Sequence, residues 1–113
     1  MLNKNLKKQT PGERFWLRRR AEGQTQAQAA ERYGMYERLY NLIETDRAKA
    51  NGATPLPTPY SRGDLCALAR RRHGKGLHGT ARLLGCSHVT LLAWERGSEA
   101  RLVKAWRRLG YVL

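Results

Sequence analysis

Apolar side chains recur at helical spacing in several short stretches of this sequence, and residues that favour the start of a helix precede them. Thr10 provides the first such start, because its hydroxyl can cap a helix, Pro11 suits the first helical position and Glu13 stands three residues after the cap. We predict a first helix over residues 11–22. Its core-facing candidates are Phe15, Trp16 and Leu17.

Two further helices are predicted behind it. Thr25 followed by Gln28 is a second hydroxyl cap with a reciprocating side chain. Gly34 can adopt the left-handed conformation that ends a helix. A third helix then runs to about Thr45, although Tyr36 is a poor cap for its start. Its inward positions should be Leu39 or Tyr40 together with Ile43.

This pattern has a second copy further along the chain. Residues 12–44 and 63–95 align without a gap at a spacing of 51. The identical pairs are Gly12/Gly63, Leu17/Leu68, Arg19/Arg70, Arg20/Arg71, Gly23/Gly74, Ala30/Ala81, Gly34/Gly85 and Glu44/Glu95. An internal repeat of one helical unit is therefore predicted.

The second copy has its own helix signals. Ser61 with Asp64 starts a helix over 62–73, Gly85 ends the next helix, and Ser87 is a good cap for a third helix that runs to about Arg96. The apolar candidates for its core are Leu65, Cys66, Leu68, Ala69, Leu91 and Trp94.

Segments outside the repeat differ in composition. Residues 46–60 contain Pro55, Pro57 and Pro59, which predicts an extended connector rather than a helix. A last helix is predicted over 98–109, with an apolar stripe of Leu102, Val103, Ala105, Trp106 and Leu109. Val112 and Leu113 either pack against the core or mediate self-association.

These elements predict an all-α protein with tandem helix-turn-helix units of about three helices each, a Pro-rich linker and a C-terminal helix. We divide the chain into a basic N-terminal arm (1–9), a first unit (10–45), the linker (46–60) and a second unit that includes the C-terminal helix (61–113). The arm is expected to be flexible, and its basic residues are Lys4, Lys7 and Lys8.

Two stretches resemble the lambda-repressor-like (Cro/cI, XRE-type) helix-turn-helix family. Residues 24–35, QTQAQAAERYGM, are similar to its x-T-Q-x-x-x-A-x-x-x-G-h stretch. Residues 81–87, ARLLGCS, followed by WERG at 94–97, are similar to its A-x-x-L-G-h-S … W-E-x-G stretch. The resemblance implies that the third helix of each unit enters the major groove of DNA.

The resemblance also implies which residues contact DNA. Bases would be contacted by Tyr36, Glu37, Arg38, Asn41 and Leu42, and in the second unit by Ser87, His88, Val89 and Leu92. Because the third helix of the second unit is so apolar, that unit either reads DNA shape and methyl groups or is a degenerate unit used for packing. Arg38 suits guanine and Asn41 adenine, whereas Glu37 either accepts from cytosine or clamps a neighbouring side chain. By the same resemblance, Gln26 would contact a phosphate. Further candidates for phosphate contact, from their charge, are Arg18, Arg19, Arg70, Arg71, Lys75 and Arg96. At least half of the arginines in the triplets 18–20 and 70–72 are expected to form solvated helix faces instead, because three consecutive helical positions point in different directions.

The charge of the chain favours a polyanionic partner. Lys and Arg number 22 against 9 Asp and Glu, which gives a net charge of +13, and both halves are basic. No apolar run approaches the roughly 20 residues of a membrane span, and no signal-peptide pattern is present, so we expect a cytoplasmic, nucleoid-associated protein. Cys66 and Cys86 form no C-x-x-C pair and are expected to be buried.

Candidate catalytic chemistry is missing from the pattern. His73, His78 and His88 have neither metal nor nucleophile spacing, so neither an enzyme nor a cofactor is expected. The leading expectation is a transcriptional regulator of a phage, plasmid or bacterium that binds double-stranded DNA, with repression as its expected effect, as a monomer or a homodimer. The alternatives are an interaction protein that inhibits a host or defence protein through the same basic fold, and binding of structured RNA.

Overall fold

The computed structural model describes residues 3–50, 55, 61–97 and 100–113, which fall into two compact units. The N-terminal unit comprises Gln9–Pro59, and the C-terminal unit comprises Tyr60–Leu113 together with Met1–Lys8. The described residues form seven helices, with one isolated β-bridge. The expected all-α class is therefore confirmed.

The N-terminal unit contains three helices. They are α1 (Pro11–Ala21), α2 (Gln26–Arg32) and α3 (Glu37–Glu44). Thr10 and Thr25 each form a complete capping box with the third residue of the helix, as predicted, whereas the Tyr36 side chain makes no capping bond. The buried core of this unit consists of Phe15, Ala29, Ala30, Tyr40 and Ile43.

The C-terminal unit contains four helices. They are α4 (Arg62–His73), α5 (Gly76–Leu84), α6 (His88–Arg96) and α7 (Ala100–Arg108). Ser61 and Ser87 cap α4 and α6 through their side chains, as predicted. The core of this unit is formed by apolar, buried residues of α4, α6 and α7. They include Cys66, Leu68, Ala69, Leu91, Leu102, Val103 and Trp106.

The turn before the third helix is built alike in both units. Gly34 and Gly85 both adopt a left-handed backbone, with φ of 67° and 73°. The next residue then donates its N–H back into the preceding helix: Met35 to the Ala30 carbonyl and Cys86 to the Ala81 carbonyl, both at 3.0 Å. These bonds fix the direction in which α3 and α6 leave the turn.

An ion pair between a half-buried arginine and a buried glutamate joins the first and third helices of each unit. In the N-terminal unit, Arg19 Nε lies 2.6 Å from Glu44 Oε2, and in the C-terminal unit Arg70 Nε lies 2.8 Å from Glu95 Oε2. Both contacts are bidentate, because the arginine Nη2 also donates to the second carboxylate oxygen at 3.1 Å in each pair. Burial is the largest single effect and lowers the pKa of Arg19, but the hydrogen bond to Glu44, the charge of Glu44 and the nearby Tyr40 together outweigh it, so the pKa lies above the usual value.

Two glycines allow the first and third helices to approach. A Cβ on Gly12 would lie 2.6 Å from the Ile43 carbonyl oxygen, and one on Gly63 would overlap the carbonyls of Glu95 and Gly97. Neither position has room for a side chain, which explains why both copies of the repeat keep glycine there.

The predicted flexible arm is instead packed onto the C-terminal unit. Leu6 is completely buried, and Asn5 forms a parallel β-bridge with Val112. Arg72 donates to the backbone carbonyls of Asn3, Asn5 and Lys8. The expectation of a free arm was wrong, because buried Leu6, backbone bonds with Val112 and the Lys4 ammonium, which donates to the Leu109 carbonyl at 2.7 Å, dock this segment.

The structure describes only part of the predicted connector (46–60) and of the predicted start of the last helix. Ala48 and Ala50 pack against the N-terminal core, so the unit extends beyond residue 45 into the predicted linker. Pro57 and Pro59 lie outside the described residues, as does Ser98, the predicted start of the last helix. The Val112 backbone forms a bridge to Asn5, but its side chain is 49% exposed and does not pack into the core as one of the two expectations had it.

Candidate nucleic-acid interface

The first turn of α3 presents polar side chains to solvent. Tyr36 is 69% exposed, and Glu37 and Arg38 are exposed behind it. These residues follow the tight turn at Gly34, which separates α3 from α2 and leaves the start of α3 uncovered. Three of the residues predicted to contact bases thus form one exposed group.

Asn41 is held in place by a neighbouring helix. Its amide nitrogen lies 3.4 Å from Gln26 Oε1, and Gln26 Nε2 donates to Glu44 Oε1 at 3.2 Å. A chain of polar side chains therefore runs from the ion pair of Arg19 through Gln26, at the first position of α2, to Asn41. Leu42, the fifth predicted reader, is half-buried.

The equivalent turn of α6 is more apolar. Val89 is 64% exposed, Leu92 is half-buried, and His88 is exposed at the first position of the helix. The Ser87 hydroxyl accepts from the Thr90 backbone N–H at 3.1 Å and donates to the Thr90 hydroxyl at 2.9 Å, so it serves as the cap. Apart from the cap residue Ser87, His88 is therefore the exposed hydrogen-bonding side chain among the residues of this helix that were predicted to contact bases.

His78 is a neighbour of His88 that the sequence pattern did not indicate. Its ring centre lies 4.3 Å from that of His88, with 47° between the ring planes. Both side chains are exposed, one in the first turn of α5 and the other at the start of α6. A separation of ten positions in sequence carries no helical or motif signal, so only the fold brings them together.

The residues predicted to contact phosphate have different environments. Lys75 and Arg96 are exposed, Arg71 is half-buried, and Arg18 forms an ion pair with Glu22 at 3.7 Å. The guanidinium groups of Arg19 and Arg70 instead bind the buried carboxylates of Glu44 and Glu95. We therefore correct the interpretation of Arg19 and Arg70, which act inside their units. Their signal was present, since Arg19/Arg70 and Glu44/Glu95 are identical pairs of the repeat and have opposite charge.

Two findings concern what the described part of the chain does not contain. Among those residues no group of three or more His, Cys, Asp or Glu gathers at one point, and none of the helices is long and apolar enough to cross a bilayer. Compared with protein-family models, curated proteins and solved structures, the chain matches none of them.

Proposed function

We propose that this chain is a sequence-specific double-stranded DNA-binding regulator with two helix-turn-helix units, in which α3 and α6 are the recognition helices. The observation that carries the proposal is the contact between Gln26 and Asn41. It links the N-terminus of α2, where backbone N–H groups attract a phosphate, to a base-reading position on α3. Within this one unit, the proposed phosphate contact is thereby linked to a residue that is proposed to read a base.

Exposed readers and net charge support the same proposal. Arg38 is exposed on α3 and can make a bidentate contact with guanine, while Asn41 suits adenine. The net charge of +13 supplies the attraction to phosphates that most of the affinity for a duplex requires. Lys75 and Arg96, both exposed, are the proposed phosphate contacts of the C-terminal unit.

The two units have unequal parts in this proposal. The N-terminal unit reads through hydrogen bonds from α3. The C-terminal unit reads through His88 and through contact of Val89 with thymine methyl groups. Because the readers differ, the expected target is an imperfect repeat rather than two identical half-sites.

A binding series with a random-sequence duplex tests the general part of the proposal. Counterion release predicts that affinity falls about a thousandfold between 50 and 200 mM salt. Absence of duplex binding at about 50 mM salt would overturn the proposal.

Substitution of Arg38 tests the sequence-specific part. On a duplex selected from a random pool, Arg38→Ala is expected to cost about 1–3 kcal/mol and to relax the preference at one base pair. Arg32→Ala is the matched control, because it removes the same charge from an exposed side chain that pairs with Glu22. Equal losses in both variants on every duplex would contradict base reading by Arg38.

A second candidate function rests on the exposed apolar residues of the C-terminal unit. Val89 is 64% and Leu83 42% exposed, which suits contact with another protein as well as with thymine methyls. In this case the chain would inhibit a host or defence protein. The salt series separates the two, since an interaction protein without DNA affinity shows no duplex binding at low salt.

A further inference from the structure

The geometry points to a two-histidine site for a divalent transition-metal ion, formed by His78 and His88 of the C-terminal unit. The ring centres lie 4.3 Å apart, and the two imidazoles come from the starts of successive helices. No helical or motif spacing pairs them, so the fold of α5 on α6 creates this juxtaposition.

The separation matches that of two adjacent ligands on one metal ion. An imidazole nitrogen binds such an ion at about 2.0–2.1 Å, so the ring centre lies about 3.2 Å from the metal. Two imidazoles at a right angle then have centres about 4.5 Å apart, close to the distance between His78 and His88. Right-angled ligands are typical of Ni²⁺ and Cu²⁺, which also prefer imidazole nitrogen.

Exposure makes both rings available as ligands. Neither α5 nor α6 has an acidic residue in its first turn, so no carboxylate there competes for the imidazoles. The remaining coordination positions would be filled by water. The nearby charge is positive, with Lys75 immediately before α5, so the affinity is set by the metal–nitrogen bonds against electrostatic repulsion.

The third histidine, His73, differs in its burial and its contacts and serves as an internal reference. His73 is half-buried at the end of α4, with its Nδ1 3.2 Å from the Tyr111 hydroxyl. Its ring also packs edge-on against Trp106. Metal binding at His73 would have to break these contacts.

Metal occupancy would regulate the proposed DNA contact. Since His88 is a proposed reader, an ion bridging it to His78 withdraws a hydrogen-bonding group from the bases. This consequence rests on the proposed function, whereas the metal site itself does not. The deciding experiment is therefore done without DNA.

The test is a titration of the untagged full chain with NiCl₂, followed by NMR of the imidazole protons. Paramagnetic Ni²⁺ is chosen because it is not reduced by the free thiols. At about pH 7.5 and in about 0.3 M NaCl, the His78 and His88 signals should broaden together while those of His73 stay sharp. Broadening of His73 at the same Ni²⁺ concentration would overturn the site.

Single variants supply the second readout. Both side chains are exposed, so His78→Gln and His88→Gln leave the packed core untouched. In either variant the remaining histidine should need about tenfold more Ni²⁺ for equal broadening, because the second ligand is no longer held beside it. Unchanged broadening of His88 in His78→Gln would show that the two rings bind separately and would refute the site.

Discussion

Arg19 holds the buried carboxylate of Glu44 in a two-bonded fork, with its Nε 2.6 Å from Oε2. Glu44 is only 2% exposed, and its buried carboxylate accepts from the Arg19 guanidinium and from the Gln26 amide. The same relationship, at the same separation of 25 residues, recurs between Arg70 and Glu95. One electrostatic contact thus joins the first and third helices in each unit.

Removal of the arginine should selectively loosen the N-terminal unit. Arg19→Met leaves Glu44 buried without its cation, and we expect a loss of about 2–3 kcal/mol, below the range for fully buried pairs because the arginine is partly exposed. Hydrogen exchange of the α1 and α3 amides measures this loss. Arg18→Met is the matched control, since it removes the same charge from a surface ion pair and should cost under about 1 kcal/mol. Equal acceleration in the two variants would contradict a structural role for Arg19.

Gly63 should not tolerate a side chain. A Cβ there overlaps the backbone carbonyls of Glu95 and Gly97, so Gly63→Ala must push α4 away from the end of α6. We expect destabilisation of about 1–3 kcal/mol, measured as a lower midpoint of thermal unfolding.

The matched glycine variant is Gly79→Ala, inside α5. A Cβ at that position meets only Lys75 Cβ at 3.2 Å, and Lys75 is exposed and can shift. The change should therefore be neutral or add up to about 1 kcal/mol through helix propensity. A Gly63→Ala protein as stable as Gly79→Ala would refute the close approach.

The docked N-terminal segment should contribute to the stability of the C-terminal unit. Leu6→Ala removes a fully buried side chain, and we expect a loss of about 2–4 kcal/mol. Urea unfolding followed by fluorescence in a Trp16→Phe background reports this unit, since the two other tryptophans, Trp94 and Trp106, both lie in it. Lys7→Ala, at an exposed neighbour, should leave the midpoint unchanged. A free arm would give the same result for both variants.

The two thiols should differ in reactivity. Cys66 is buried, and burial raises its pKa to about 12, whereas Cys86 is half-buried. Since the thiolate is the nucleophile, iodoacetamide at about pH 8 should modify Cys86 in the folded protein and Cys66 only after unfolding. Mass spectrometry of the alkylated peptides checks the order, and faster alkylation of Cys66 would contradict its burial.

Burial of the Cys66 thiol also makes stability depend on alkaline pH. The thiol of the unfolded chain ionises near its usual pKa of 9.0, which lies below the folded value. As the pH rises above 9, the unfolded state therefore loses its thiol proton before the folded state does and is stabilised relative to it. The neutral thiol therefore contributes fully below pH 9, and this contribution is lost by up to about 1.4 kcal/mol per pH unit between about 9 and 12. Urea unfolding at several pH values should show a shallower decline in Cys66→Ala, and an identical decline would contradict the shift.

Local signals were sufficient for most of the helices. The caps at Thr10, Thr25, Ser61 and Ser87 were predictable because each bond spans only a few residues. Tyr40 was one of two alternatives for the inward position of α3, and it is buried while Leu39 is half-buried. Helical period alone could not choose between these neighbours.

Contacts between distant residues were not predictable in the same way. The arginine triplets suggest a solvated or DNA-facing surface, and nothing local distinguishes Arg19 from Arg18 or Arg20. What separates them is a carboxylate 25 residues away. The docking of Leu6 and the pairing of His78 with His88 likewise depend on how the helices pack. Composition and helical periodicity therefore do not predict them.

The bridge between Asn5 and Val112 has a consequence for the order in which the chain is made. Asn5 leaves the ribosome more than 100 residues before its partner, and all of residues 9–59 emerge in between. The N-terminal unit can therefore fold during synthesis, as contiguous domains commonly do. The C-terminal unit must wait until Val112 has emerged and then recruit residues that were translated before the N-terminal unit.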